Sequence, residues 1–271
     1  MPTTTERQPT IFLPHGGGPC FFMDWTWGPA DTWNGTRRFL EGLAATLPAR
    51  PKALLVVSGH WEEVGFTASA AAKPGLIFDY SGFPEDTYRL TWPAPGDPEL
   101  AGRAAELLKA ARLPAALSQS RGYDHGVFVP LKVAFPEAAI PVVTVSLAAS
   151  LDPALHLAAG RALAPLRDEG VLIIASGMSF HNLRGYFRQE TPQRARAFDR
   201  WLTEAVESPA ARRDELLAGW RSAPFAEYAH PREEHLIPLM VAAGAGGEAA
   251  GKRIFSDEPM GAAISAYRFD G

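Results

Sequence analysis

Four short apolar segments, rich in β-branched residues, stand out along the chain. Each is almost continuously hydrophobic and is bounded by glycine, proline or serine, which is typical of strands buried on both faces of a parallel sheet. The segments cover residues 10–13, 53–57, 140–145 and 171–175. They predict four strands at the centre of a sheet.

Helical patterns fill several of the stretches between these strands. Asp97 stands where an N-cap is expected for residues 98–111, and Asp152 takes the same position at the start of residues 152–167. Residues 192–220 are amphipathic and predict a peripheral pair of helices.

The alternation of strands and helices predicts the α/β fold class, with a central, mostly parallel sheet flanked by helices. A chain of 271 residues can bury its core as one unit, so we predict a single domain over residues 1–271. Ligands bind such open sheets at the carboxyl ends of the strands, where we expect the functional site. Residues 73–98 are dense in proline, glycine and aromatic side chains and predict a long ordered loop, which is often functional.

Composition and charge exclude several classes of protein. The chain is 46% hydrophobic and 21% charged, as expected for a soluble globular protein. Its net charge is −4 and its 26 Lys and Arg residues are scattered, so no nucleic-acid surface is indicated. No apolar run reaches the roughly 20 residues of a membrane span, and residues 1–9 lack the apolar core of a signal peptide. We therefore expect a cytoplasmic protein with neither a nucleic-acid nor a membrane partner.

The single cysteine, Cys20, limits the metal chemistry that the chain can support. One cysteine forms no intramolecular disulfide and builds no thiolate-rich zinc site. Any metal must therefore be held by nitrogen and oxygen ligands.

The positions of the seven histidines matter more than their number. His15 follows the first predicted strand in a Pro-His-Gly-Gly-Gly turn, His60 follows the second in Ser-Gly-His-Trp, and His181 follows the fourth. A single histidine is more often an ordinary half-buried residue than a ligand. Three in turns that meet at one edge of the sheet favour a metal site, because neutral imidazole binds Fe, Zn, Cu and Ni.

The other histidines have less distinctive positions. His125 follows Asp124, a carboxylate that is a candidate for orienting a neighbouring imidazole. Pro231 suits the first turn of a helix, and this places His235 about one turn inside that helix, where it can face the strand ends. His156 lies on a predicted helix and is interpreted as an ordinary packed residue.

The residues also bear on three other kinds of site. The glycines at 16–18 suit a phosphate cradle, but no Gly-Lys-Ser/Thr follows them and no acidic ribose ligand stands at the expected distance. Ser176 and Ser179 suit a hydrolase, but Ser-Gly-Met-Ser is not a Gly-x-Ser-x-Gly elbow. A zinc-dependent hydrolase stays open, since three histidines with an open position also suit Zn(II) and water.

Six short motifs occur in order along nearly the whole chain. They are Pro-His-Gly-Gly-Gly-Pro at 14–19, Ser-Gly-His-Trp-Glu at 58–62, Gly-Phe-Pro-Glu at 82–85, Asp-His-Gly at 124–126, His-Asn-Leu-Arg at 181–184 and Glu-His-Leu-Ile-Pro-Leu at 234–239. Taken together they resemble the class III extradiol dioxygenases of the LigB superfamily, specifically the 4,5-DOPA dioxygenase-like branch. Each motif alone is unspecific, whereas the ordered set is specific.

The resemblance implies a single catalytic domain that uses non-haem Fe(II) and O₂ to open a catechol-type ring, giving a semialdehyde. In that branch the metal ligands correspond to His15, His60 and His235, and Zn(II) suits the same ligands. The catalytic histidines correspond to His181, the implied general base, and His125, the implied hydrogen-bond donor to a substrate oxygen. The implied partners are a catecholic small molecule and O₂, and we expect a monomer or small homo-oligomer.

Two alternatives stay open within the resemblance. Protocatechuate-cleaving members of the superfamily use two histidines and a carboxylate, so Glu234, adjacent to His235, is an alternative third ligand, and His230 is a further candidate to assist the site. Memo proteins of similar fold are non-catalytic binding modules. The five site histidines present here favour an enzyme over such a module.

Overall fold

The computed structural model describes residues 6–271, and an eight-stranded sheet runs through this part of the chain. The expectation that residues 1–9 hold no signal-peptide core falls partly outside the described residues. The strands are β1 (Thr10–Pro14), β2 (Ala53–Glu63), β3 (Phe66–Ser69), β4 (Ala115–Ser118), β5 (Val142–Ala148), β6 (Val171–Gly177), β7 (Lys252–Asp257) and β8 (Ile264–Phe269). Their order in the sheet is β4-β3-β5-β2-β6-β1-β8-β7.

The four strands that the hydrophobic pattern predicts are β1, β2, β5 and β6, and they lie side by side. β1 is parallel to β6, β6 to β2, and β2 to β5. Every residue of β1, β5 and β6 is buried, which explains the near-continuous apolar sequence of these segments. The prediction of an α/β fold with a central, mostly parallel sheet is confirmed.

The hydrophobic pattern does not predict the four outer strands, β3, β4, β7 and β8. β8 is antiparallel to β1 and β7, while β3 is parallel to β4 and antiparallel to β5. β3 and β4 have four residues each, and β7 has no fully buried residue and begins with the exposed Lys252 and Arg253. Short or charged edge strands give no long apolar run, and they also protect the sheet edge from pairing with other chains.

Helices cover both faces of the sheet. They are α1 (Asn34–Gly42), α2 (Pro98–Ala110), α3 (His125–Ala134), α4 (Pro153–Leu163), α5 (Thr191–Val206), α6 (Ala210–Ala218), α7 (Ala226–Ala229) and α8 (Ile237–Ala245). Side chains alternate between the two faces along each strand. In β2, Leu54 and Val56 join one apolar core, whereas Leu55 and Val57 join the other. Within residues 6–271 no helix is long and apolar enough to cross a membrane.

The predicted caps and the helical pair are confirmed. Asp97 accepts a hydrogen bond from the Leu100 N–H at 2.9 Å, and Asp152 accepts one from the Leu155 N–H at 2.8 Å. The amphipathic segment forms the pair α5 and α6. The predicted loop over residues 73–98 is irregular apart from a short 3₁₀ turn and a single bridge to Tyr123, and helix α2 follows it.

Candidate metal centre

Five histidines from separate parts of the chain meet at the carboxyl end of the central strands. His15 directly follows β1, His125 is the first residue of α3, and His181 lies shortly after β6. All five line one cavity, with His60 and His235 completing the set. The structure therefore brings together all of the histidines that the sequence singled out as ligands or catalytic groups.

The position of His60 differs from its prediction. It lies inside β2 rather than after it, because β2 continues to Glu63 beyond an irregularity in its pairing with β5 between Val57 and Glu62. Such irregularities bend a strand and re-aim its side chains. His60 lies within this irregular part of β2, and its side chain lines the cavity.

The local structure around His235 also corrects a prediction. Helix α8 begins at Ile237, so His235 precedes the helix instead of lying one turn inside it. The Met178 N–H donates a hydrogen bond to the His235 carbonyl at 3.0 Å, and this bond ties the segment to the end of β6. A local helix signal at Pro231 was therefore overridden by a long-range backbone contact.

Three imidazole nitrogens converge closely. The Nε2 atoms of His15 and His60 are 3.3 Å apart, and those of His60 and His235 are 3.1 Å apart. His15, His60 and His235 form a group whose ligand atoms lie within 4.8 Å of one another. Beside them, the ring of His181 stacks on His235 with centroids 3.4 Å apart, and the ring of His125 lies 4.0 Å from that of His60.

The opposite ring nitrogens fix the tautomers of the converging histidines. The Nδ1 of His15 lies 2.8 Å from the Gly16 carbonyl, and that of His235 lies 2.8 Å from Oε1 of Glu234. Carbonyl and carboxylate oxygens only accept hydrogen bonds, so each Nδ1 carries the hydrogen and donates it. The Nδ1 of His60 lies 3.4 Å from Oδ2 of Asp79. In the neutral rings of His15 and His235 the Nε2 lone pair is therefore left to face the other histidines, and the Nε2 of His60 lies between them.

Burial keeps these rings uncharged. It lowers the pKa of His15, His60 and His235 well below the ordinary histidine value, and repulsion between the neighbouring histidines lowers each pKa further. Deprotonated imidazole is the form that binds a metal. Uncharged Nε2 lone pairs held about 3 Å apart repel one another, and a cation between them removes that repulsion. The donor set therefore fits a first-row divalent ion.

Asp79 is the residue of the site that the sequence did not reveal. Its Oδ1 accepts a hydrogen bond from the His125 N–H at 2.9 Å and lies 2.8 Å from the His125 Nδ1. Asp124, the candidate for orienting an imidazole, instead accepts from the Ser58 hydroxyl and pairs with Arg121. The only sequence signal for Asp79 is its place in the loop over residues 73–98. That position does not indicate which residue Asp79 contacts.

Glu234 and His230, the two further candidates, have different surroundings. Glu234 contacts the Nδ1 of His235, whereas the Nε2 of His235 is the nitrogen next to His60. His230 is fully buried, and its Nε2 donates to the Ser179 carbonyl at 3.0 Å, away from the cluster. His156 is likewise buried and bonded to backbone groups of its own region, as its interpretation as a packed residue requires.

A cavity of about 520 Å³ opens above the five histidines. Its walls are mainly aromatic, and the loop over residues 73–98 contributes Tyr80 and Phe83. Gly16 and Gly18 form part of its lining with φ angles of +89° and +55°. A side chain at Gly18 would collide with Phe83, so glycine is required where this turn approaches the loop.

Comparison with known proteins assigns the family. Residues 9–269 match the family model described as the catalytic LigB subunit of aromatic ring-opening dioxygenase. The chain is 39% identical to the dioxygenase tasH of Hapsidospora irregularis, over 99% of this chain and 87% of that protein. It is 38% identical to a 4,5-DOPA dioxygenase extradiol of Beta vulgaris over 99% of both chains. A protein of the latter name in Escherichia coli K12 is 35% identical over 89% of this chain and 86% of its own.

The fold comparison agrees with the sequence comparison. The crystal structure of an uncharacterized protein from Escherichia coli K12 superposes with a TM-score of 0.78 at 30% identity, covering 97% of this chain and all of the other. The family is enzymatic, so the hydrolase and the non-catalytic binding module are set aside. The chain therefore belongs to the LigB family and is an extradiol-type aromatic ring-opening dioxygenase.

Proposed function

We propose that the protein is a non-haem Fe(II)-dependent extradiol dioxygenase that opens a catechol-type ring with O₂ and gives a semialdehyde. The observation that supports this most is the convergence of three uncharged imidazole nitrogens at the base of an aromatic cavity. The names of the relatives, several of which are 4,5-DOPA dioxygenases, support a catecholic substrate.

His15, His60 and His235 would hold the metal ion through their Nε2 atoms. Nitrogen ligands suit Fe(II), and Zn(II) suits the same three donors. When bound, the ion supplies Lewis acidity that lowers the pKa of a catechol hydroxyl, together with the redox chemistry that O₂ requires. The Gly16 carbonyl, Asp79 and Glu234 hold the three rings in place through their Nδ1 atoms.

His181 is the proposed general base. It lines the cavity, and its Nδ1 lies 3.4 Å from Oε1 of Glu234, which leaves Nε2 as the nitrogen that exchanges a proton with the substrate. A neutral imidazole can accept a catechol hydroxyl proton and return it later in the reaction. Glu234 stabilises the imidazolium that exists between these two transfers.

His125 is the proposed donor to a substrate oxygen. Its Nδ1 donates to Oδ1 of Asp79 at 2.8 Å, which orients the ring. When the ring is protonated, its Nε2 also carries a hydrogen and can donate it to a substrate oxygen on which negative charge develops. The aromatic walls of the cavity hold the planar ring and exclude water.

The proposal is tested by loading the purified protein anaerobically with Fe(II) and offering a panel of catechols in an oxygen electrode. We expect O₂ uptake with a yellow semialdehyde product, and the Zn(II)-loaded protein, the matched control, should consume no O₂. The reason is that Zn(II) binds the same donors without redox chemistry. Absence of uptake with every catechol, despite stoichiometric iron, would reject the proposed function.

Three broader parts of the proposal concern the whole molecule. We propose that residues 1–271 form one catalytic domain, since a single sheet collects strands from Thr10 to Phe269. We propose a cytoplasmic location, because the single cysteine is typical of a reducing compartment. We also propose a monomer or small homo-oligomer that takes a small molecule and O₂. Size-exclusion chromatography with light scattering measures the assembly directly.

A further inference from the structure

The walls of the cavity are almost free of charge. Among the described residues that line it there is no lysine, arginine, aspartate or glutamate. Apart from the histidines and the tryptophan N–H groups, its polar side chains are Ser81, Tyr80 and Tyr186. The Tyr80 hydroxyl already donates to the Thr87 carbonyl at 2.6 Å. A charged substituent on a bound molecule would therefore meet no lysine, arginine, aspartate or glutamate among the described residues of these walls.

The cavity is also larger than one catechol ring needs. Its volume of about 520 Å³ falls within the range of about 300–1,000 Å³ that buries a drug-sized ligand. Three tryptophans, Trp25, Trp27 and Trp33, contribute to its walls. The extra space can hold a substituent of the size of a second ring, in contact with apolar surface.

The apolar surface continues out of the cavity. Six large hydrophobic side chains of the described chain are exposed, and three of them line this cavity. They are Trp27, Leu183 and Phe187, which are 49%, 72% and 62% exposed. Clustered exposed apolar side chains mark binding surfaces more often than scattered ones do. Here they extend the cavity wall toward solvent.

We propose that this cavity selects catechols whose ring substituent is large, apolar and uncharged, and that it discriminates against substituents carrying a carboxylate or an amino-acid group. Burying an ionised group without a partner is costly, whereas burying apolar surface is favourable. Two carboxylates that contact the site histidines, Asp79 and Glu234, add repulsion against an anion. This inference rests on the proposed function, because ring opening is its principal assay.

A matched pair of substrates tests the proposal. The Fe(II)-loaded enzyme is assayed with 3-(3,4-dihydroxyphenyl)propionate and with its methyl ester, which differ in one charge and little in size. We expect kcat/KM for the ester to be at least about tenfold higher, the scale expected for an uncompensated polar group. Equal values, or a preference for the acid, would overturn the proposal.

A binding measurement separates this proposal from the proposed function. Quenching of tryptophan fluorescence by the two compounds under anaerobic conditions gives their Kd values without turnover, since three tryptophans line the cavity. Tighter binding of the ester supports the proposal even if no catechol is cleaved, and cleavage failure alone contradicts only the dioxygenase assignment. Equal or tighter binding of the acid contradicts the selectivity.

A charge introduced at the rim gives a second test. Leu183→Arg adds a cation at an exposed position on the cavity, and we expect it to shift the ratio of ester to acid kcat/KM by about tenfold toward the acid. The matched control is Val64→Arg, at a 96% exposed position between β2 and β3 that does not line the cavity. An unchanged ratio in Leu183→Arg, or an equal shift in the control, would argue against selection by the cavity walls.

Two carboxylates, Asp79 and Glu234, link the proposed metal ligands to the proposed catalytic histidines. Each of two carboxylates contacts one proposed metal ligand and one proposed catalytic histidine. Asp79 lies 3.4 Å from the Nδ1 of His60 and 2.8 Å from that of His125. Glu234 lies 2.8 Å from the Nδ1 of His235 and 3.4 Å from that of His181.

We infer that Asp79 and Glu234 are positioning residues that fix the metal ligands and the proton-handling histidines together. A carboxylate that accepts from the Nδ1 of a ligand orients the ring and raises the donor strength of its Nε2. Because the same carboxylate also contacts the catalytic ring, its loss disturbs both groups at once. This proposal, too, rests on the proposed roles of the four histidines.

Amide variants test this inference with a readout besides activity. In Glu234→Gln and Asp79→Asn we expect the Kd for Fe(II), measured by chelator competition, to rise about 10–100-fold, with a fall in kcat. The matched control is Glu62→Gln: Glu62 pairs with Arg232 at 2.6 Å, as Glu234 does at 3.5 Å, but it is absent from the ion pairs formed with the site histidines. Wild-type iron affinity in both amide variants, or an equal change in the control, would refute the positioning role.

Discussion

Alanine in place of His15 or His60 is expected to remove the metal ion from the protein. Each variant deletes one of three Nε2 donors that lie 3.1–3.3 Å from a neighbour. Loss of a residue that merely orients a ligand already costs about 10–100-fold in metal affinity, so loss of a ligand should cost at least about 100-fold. Metal analysis after Fe(II) loading and gel filtration measures the result.

A buried histidine outside the site provides the control for these variants. His156 accepts from the Ala148 N–H and donates to the Asp152 carbonyl, and it is fully buried. His156→Ala should lower the free energy of unfolding by about 1–3 kcal/mol while the protein keeps its iron. Stoichiometric iron in both His15→Ala and His60→Ala would refute the ligand assignment.

Alanine in place of His181 is expected to keep the metal and lose turnover. The proposed general base contributes about 10²-fold or more to the rate, so kcat should fall by at least about that factor. Iron content should stay near that of the wild type, because His15, His60 and His235 are unchanged. Steady-state O₂ uptake and metal analysis on the same preparation measure both quantities.

Chemical rescue distinguishes proton transfer from support of the neighbouring ring. His181 stacks on His235, so its removal also takes away a packing contact. Added imidazole should partly restore turnover in His181→Ala in a concentration-dependent way if the lost function is proton transfer. Normal turnover in the variant without imidazole would remove His181 from the mechanism.

The central part of the fold could be predicted from the sequence because its determinants are local. Strands buried on both faces must be apolar at nearly every position, and this produced the segments that became β1, β2, β5 and β6. The caps at Asp97 and Asp152 depend on residues three positions away. The edge strands, in contrast, are defined by their neighbours in the sheet rather than by their own composition.

The site was only partly predictable. The turn that carries His15 follows an unmistakable strand, so its place at the carboxyl edge followed from the fold class. The start of α8 after His235 depends on the bond from Met178, and the partner of His125 is Asp79, 46 residues away in sequence. Neither contact can be predicted from the hydrophobic and polar pattern of the residues around it.

The sequence by itself determined the α/β class, the buried central strands and, through its ordered motifs, the LigB family. Only the tertiary structure decided which nitrogen of each histidine faces the centre, how His60 and His235 enter the site, and which carboxylates hold them. The physical reason is the sequence separation over which each interaction acts. Hydrophobic periodicity and capping act over a few residues, whereas the 3.1 Å approach of His60 to His235 joins atoms 175 positions apart. Such an approach is fixed by the packing of the whole sheet.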